Sequence, residues 1–204
     1  MTTTKKSLRN YLVVFNAVSC AGWAHVLVSA VLHLCTDGGA TTTYTRVGSA
    51  TAAVQSLAVL EVLHVLLGWV RSPLLTTAAQ VASRLLLVWG IVDQFAYVRT
   101  NPAYTTMVLS WSTTEVVRYA YYALARAGYE PRALLWLRYT TFYVLYITGA
   151  TSEALLIYAT LRGLSRFTDY VRLVLFVIWW PGLYTLYTYM MAQRRKRLAV
   201  LHVT

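Results

Sequence analysis

Apolar residues along this chain come in long runs, each interrupted by only a few polar positions. Six runs stand out, at about 11–34, 47–70, 74–98, 104–127, 134–160 and 170–192. Each is long enough to cross a hydrocarbon layer about 30 Å thick, for which roughly 20 helical residues suffice. The breaks are short and carry turn chemistry: Arg71-Ser72-Pro73, Thr100-Asn101-Pro102 and Gly128-Tyr129-Glu130-Pro131. The pattern predicts an all-α polytopic membrane protein, a six-transmembrane-helix bundle in which residues 1–204 form a single membrane domain. The basic start, MTTTKKSLRN, superficially resembles a signal peptide. The apolar run behind it is long enough to span and shows no clear cleavage site, so it is read as a retained first span.

Composition supports this class. Hydrophobic residues make up 58% of the chain and charged residues only 12%, about half the charged share of a soluble domain. The 16 tyrosines and 7 tryptophans suit a chain that places amphipathic rings at the water–lipid boundary. The net charge of +11 would suggest nucleic acid in a soluble protein. Here the excess sits at the ends and in short loops, where a positive-inside bias explains it better than nucleic-acid binding. Six spans put both termini on one side. Lys5, Lys6, Arg9, Arg71, Arg126, Arg132, Arg194, Arg195, Lys196 and Arg197 fall there, against Arg46, Arg99, Arg162, Arg166 and Arg172 opposite. That asymmetry predicts cytosolic termini.

No zinc-ligand spacing, phosphate-binding glycine loop or nucleic-acid motif is present, so no metal or cofactor is expected. Cys20 and Cys35, fifteen residues apart on one predicted helix, would lie about 22 Å apart along it and cannot pair.

Away from the ends of the runs, seven Arg, Asp and Glu residues remain: Arg84, Arg118, Arg138, Glu61, Asp93, Glu115 and Glu153. Charges at membrane depth are costly, so they pair, face the bundle interior or do chemistry. Counted from the terminus side, Gln80 is about six residues deep, Glu61 and Arg118 about nine, Arg84 about ten, and Glu115 and Tyr146 about twelve. Four helices thus bring opposite charges near one level. Arg138, about four residues deep, fits snorkelling to the interface as well as it fits a site. Glu115 and Arg118, three apart, can pair, and Gln80 and Arg84, four apart, share a face. Each pair also suits a polar contact that only fixes helix packing.

In the fifth run Tyr146 and Glu153 are seven residues apart, on one helical face with a rise of about 10 Å between them. Gly149 lies between them on that face, where its missing side chain predicts a notch. An interfacial tyrosine and a helix-contact glycine are the plainer readings. A tyrosine near mid-membrane fits the first poorly.

The run Leu145-Tyr146-x-x-Gly149-x-x-x-Glu153 resembles the signature of the very-long-chain (3R)-3-hydroxyacyl-CoA dehydratases, once called protein tyrosine phosphatase-like. The likeness extends through Tyr11-Leu12-x-x-x-Asn16, Leu60-Glu61-x-x-His64, Gln80-Val81-x-Ser83-Arg84, Trp111-Ser112-x-x-Glu115-x-x-Arg118-Tyr119 and Leu137-Arg138-Tyr139-Thr140. One departure is clear: Ile147 stands where the family usually has proline, which should leave a straighter helix.

The resemblance implies a multi-pass enzyme of the endoplasmic reticulum that removes water from a 3-hydroxyacyl-CoA to give trans-2-enoyl-CoA during fatty-acid elongation. It implies Tyr146 and Glu153 as the catalytic pair, and the fatty acid elongase, 3-ketoacyl-CoA reductase and enoyl-CoA reductase as partners beside membrane lipids. Dehydration needs a base at C2 and an acid at the C3 hydroxyl, which two side chains can supply without a metal. The sequence leaves open which residue does which; the preferred arrangement puts Tyr146 toward C2 and Glu153 toward the hydroxyl. Arg84, Arg118 and Gln80 are candidates to stabilise the thioester oxygen. The anionic CoA is expected at the cytosolic face near Arg71, Arg132 and Arg138. Buried charges also mark ion pathways, so a transporter or channel is the alternative from another class; a non-catalytic scaffold of the elongation complex is a third reading, to which only Ile147 points.

Overall fold

The computed structural model describes residues 3–36, 38–161 and 165–201, with side chains described for 5–36, 38–161 and 165–195. Every regular element among the described residues is helical. α1 (Thr3–Cys35) is one uninterrupted rod. α2 (Thr43–Leu57) and α3 (Val59–Leu66) form a second, broken at Ala58. α4 (Leu74–Leu85) runs into a π-helical segment (Leu86–Val92) and a short 3-10 turn (Ala96–Val98). α5 (Pro102–Ala127), α6 (Arg132–Arg138), α7 (Phe142–Ala159) and α8 (Phe167–Leu201) follow.

Local chemistry sets the ends. The Asn101 side chain accepts the amide N–H of Ala103 at 2.9 Å and Pro102 opens α5, a start suited to a residue without an amide proton. Gly128, at φ 98°, closes the same helix in the left-handed conformation, which glycine adopts without a Cβ penalty.

Five rods are long and apolar enough to cross a membrane: Lys5–Cys35, Thr43–Leu66, Leu74–Val92, Phe142–Ala159 and Phe167–Arg195. α5 is not among them, although its 26 residues extend about 39 Å. It is the central helix, packed against α1 on one side and α7 on another. A helix surrounded by protein need not be apolar all round, because its polar groups find partners there. The core runs through this centre: Trp23 and Val26 of α1, Leu87 and Ile91 of the π segment, Met107 and Trp111 of α5, and Leu156 and Ile157 of α7. α8 lies outermost, packed mainly on α7.

The structure changes several boundaries. The run expected at 47–70 begins at Thr43 and its helix stops at Leu66, where Gly68 at φ 68° turns the chain. The run expected at 74–98 ends as a spanning helix at Val92. Asp93 follows the last helical turn, exposed, with Arg99 at 3.4 Å. The run expected at 134–160 is divided at 139–141, so Arg138 sits in the last turn of α6 and outside the apolar helix α7. Both cysteines lie on α1 and both are free, as their spacing predicts. Of the basic residues counted for orientation, Arg162 and the side chains of Lys196 and Arg197 lie outside the described residues.

Candidate active site

The buried charges meet in one network. Glu115, 2% exposed on α5, accepts from Arg84 of α4 through one carboxylate oxygen. Through the other it accepts Arg118 Nε at 2.6 Å. The guanidinium of Arg118 then reaches Glu61 of α3 with two parallel bonds, Nη1 to Oε2 at 2.9 Å and Nη2 to Oε1 at 2.8 Å. Tyr119 donates its hydroxyl proton to the same Glu61. Two cations face two anions, and the forked geometry is the strong form of a carboxylate–guanidinium pair. The expected i,i+3 pair of Glu115 and Arg118 is thus present, extended across three helices.

Arg84 links this network to the residues on α7. Its guanidinium carbon lies 4.9 Å from the centre of the Trp111 ring, within cation–π reach. The Trp111 indole donates to Glu153 Oε1 at 2.6 Å. Arg84 also acts electrostatically on both Glu153 and Tyr146, which act on each other, and the Trp179 indole of α8 lies against the Glu153 carboxylate. Tyr146 stacks with Tyr187 of α8 at 6.5 Å between ring centres. Tyr146 and Glu153 both belong to α7, which is continuous past Ile147. Ile147 itself is 44% exposed, so its side chain points away from the packed centre.

Gly149 has another surrounding than the notch its spacing suggests. It is buried, and a Cβ built there would lie 3.5 Å from Ser110 Cβ and 3.8 Å from Trp111 Cδ1. The side chains of α5 fill the space, and Ser110 bonds Thr148 beside it at 2.8 Å. Gly149 is the close-contact point that seats Trp111 against Glu153.

Two sequence candidates stand apart. Gln80 is exposed on α4 and outside the network. Arg138 donates to the Tyr122 hydroxyl at 2.6 Å and lies among the rings of Tyr121, Tyr122 and Tyr139 at 5.2, 4.3 and 5.4 Å. The Tyr122 ring also faces Arg118 at 5.9 Å, so Arg138 is joined to the charge network through an aromatic side chain. Trp111, Trp179 and Tyr187 are residues that sequence reasoning gave no role. Trp111 lies inside a quoted motif. Nothing in the aromatic-rich pattern of α8 marks which of its rings turn inward. Among the described residues no group of three or more His, Cys, Asp or Glu is placed to hold a metal.

Residues 55–200 match the family model described as protein tyrosine phosphatase-like protein, PTPLA. The chain belongs to this family. Family members similar to it include a protein of Schizosaccharomyces pombe named probable very-long-chain (3R)-3-hydroxyacyl-CoA dehydratase, 42% identical over 91% of this chain and 91% of its own. The very-long-chain (3R)-3-hydroxyacyl-CoA dehydratase PASTICCINO 2A of Oryza sativa is 39% identical over 94% of each chain. Human very-long-chain (3R)-3-hydroxyacyl-CoA dehydratase 2 is 32% identical over 93% of this chain and 81% of its own. No solved structure matches.

Proposed function

We propose that this chain dehydrates (3R)-3-hydroxyacyl-CoA to trans-2-enoyl-CoA and water, the third step of the long- and very-long-chain fatty-acid elongation cycle, with Tyr146 and Glu153 as the catalytic pair. The observation that carries the site assignment is the seating of Glu153. One indole N–H fixes its carboxylate at 2.6 Å, the Arg84 cation lies over that same indole, and Tyr146 follows on the same helix. Relatives named for this activity, similar along nearly the whole chain, support the reaction.

In this reading the base takes the proton from C2, the C3–oxygen bond breaks, and the acid delivers a proton to the departing hydroxyl. Tyr146 faces C2 and Glu153 the hydroxyl. Negative charge grows on the thioester oxygen as C2 loses its proton, and Arg84 is the cation placed to stabilise it. Of the three sequence candidates for that role, Gln80 is exposed and Arg118 is held by two carboxylates, Glu115 and Glu61, whereas Arg84 is held by Glu115 alone and lies over the Trp111 ring. The anionic CoA lies at the cytosolic end, near Arg71, Arg132 and Arg138, with the acyl chain among the helices. The enzyme sits in the endoplasmic-reticulum membrane beside the elongase and the two reductases of the cycle.

We infer further that α5 is a sixth span and that both termini are cytosolic. In support, Thr105 near the start of α5 bonds Thr43 at 2.8 Å, while Tyr119 near its end faces Phe15 of α1 at 6.3 Å. Arg172 near the start of α8 lies over Phe95 and Arg194 near its end lies over Tyr143. Purified protein assayed on a 3-hydroxyacyl-CoA tests the reaction. Tyr146→Phe and Glu153→Gln should each lower kcat about 100-fold or more; full activity in either would sink the assignment of the pair.

A further inference from the structure

The outer helix α8 runs antiparallel along the face of α7 that carries Tyr146 and Glu153. Tyr158 meets Phe176 at 5.6 Å between ring centres. Further back along α7 and further on along α8, Glu153 meets Trp179. Tyr146 then meets Tyr187, with the ring planes 30° apart, and Tyr143 meets Tyr187 and Arg194. Tyr146 and Glu153 are about 10 Å apart along α7, and Tyr187 and Trp179 about 12 Å apart along α8. One stretch of α8 therefore spans the pair. Its other side faces away from the bundle: Trp180 and Tyr184 are 45% and 72% exposed, whereas Trp179 and Tyr187 are half-buried.

The two contacts constrain different things. An indole N–H donates and cannot accept. Trp179 hydrogen-bonds Glu153 from α8, while Trp111 donates to Oε1 from α5 at 2.6 Å. A carboxyl held by one donor can swing about that bond; held by donors on two helices, it keeps one plane. The Tyr187 ring lies 6.5 Å from the Tyr146 ring, within the range of offset stacking, and is itself packed edge-on against Phe142 at 5.6 Å. Stacking engages the face of the Tyr146 ring and leaves its hydroxyl available for proton transfer. Groups that move protons at neighbouring carbons need this control, since a misplacement of about 1 Å can cost about 100-fold in rate.

We propose that Trp179 and Tyr187 are positioning residues of the active site: Trp179 fixes the plane of the Glu153 carboxyl through its N–H, and Tyr187 fixes the Tyr146 ring by stacking. α8 then sets the geometry between acid and base without itself touching the reacting atoms. The role rests on the dehydration reading with Tyr146 and Glu153 as the pair.

A double-mutant cycle on the full-length purified protein tests the Trp179 role. Trp179→Phe keeps an aromatic ring and removes the N–H. It should lower kcat about tenfold with KM within about twofold, less than a full misplacement because Trp111 still holds one oxygen. On a Glu153→Gln background the same change should alter kcat by less than about twofold, because residues that act through one group are not additive. A tenfold loss on both backgrounds overturns the role, since general damage to packing would add. An unchanged kcat in Trp179→Phe overturns it too, as does an equal loss in Trp180→Phe, which removes the outward indole. If Trp179→Phe does not fold, Trp179→Leu removes the N–H and enters the same cycle. For Tyr187, the leucine variant should lower kcat about threefold, in line with what an aromatic pair contributes, and Tyr187→Phe should keep the wild-type value. No loss in Tyr187→Leu, or the same loss in Tyr187→Phe, overturns the stacking role. Absence of wild-type turnover, or full activity in Glu153→Gln, overturns the dehydration reading and both positioning roles with it.

Discussion

Glu115 is the residue on which the buried charge balance turns. It is 2% exposed and holds two arginines, each through its own oxygen. Removing one partner of a buried ion pair costs about 3–5 kcal/mol, because the remaining charge is left in a low-dielectric site. Glu115→Gln should therefore destabilise the protein by an amount of that order, read as a lower Tm in detergent. Arg84 and Arg118 would then compete for Glu61, so Arg84 should leave the Trp111 ring and kcat should fall as well. Glu61→Gln should cost less stability, since Glu61 is only partly buried and Glu115 still holds both cations. Equal losses in the two variants would contradict this ranking. Much of the network was legible from residue type, because charges at membrane depth must find each other. Asp93 misled, since an apolar run does not reveal where the helix inside it ends.

At the scale of elements, the contact between α5 and α7 sets the site. Gly149 lets the two helices approach, yet a Cβ there would make only ordinary van der Waals contact at 3.5 and 3.8 Å. Gly149→Ala should accordingly keep both folding and activity, with kcat within about twofold of wild type. Gly149→Leu must push Ser110 and Trp111 aside, at about 1–3 kcal/mol for overpacking, and should lower kcat by moving the indole that holds Glu153. A strong loss in the alanine variant would restore the idea of an open notch used by substrate. Spacing placed Tyr146, Gly149 and Glu153 on one face of one helix, and α7 carries them so. It did not reveal that α5 occupies the space opposite Gly149, because which helix packs where depends on tertiary contacts with no local signal. The same limit hid the division at 139–141, the π segment after Leu85 and the inward turn of Trp179 on α8.

For the molecule as a whole, the number of crossings turns on α5. Hydropathy singles out five helices and omits α5. A central helix that carries Glu115 and Arg118 scores poorly on an apolar scale for the reason that makes it central: its charges are partnered by α3 and α4. If α5 crosses, the chain has six spans and both termini share a side; if it does not, they lie on opposite sides. Cys35, exposed at the end of α1, marks the side opposite the N-terminus. In sealed microsomes an impermeant thiol reagent should leave Cys35 unlabelled until the membrane is permeabilised. On a Cys20→Ser, Cys35→Ser background, single cysteines introduced as Ser7→Cys and Thr204→Cys should both react at once from outside. Labelling at position 7 but not at 204 before permeabilisation would show an odd number of crossings.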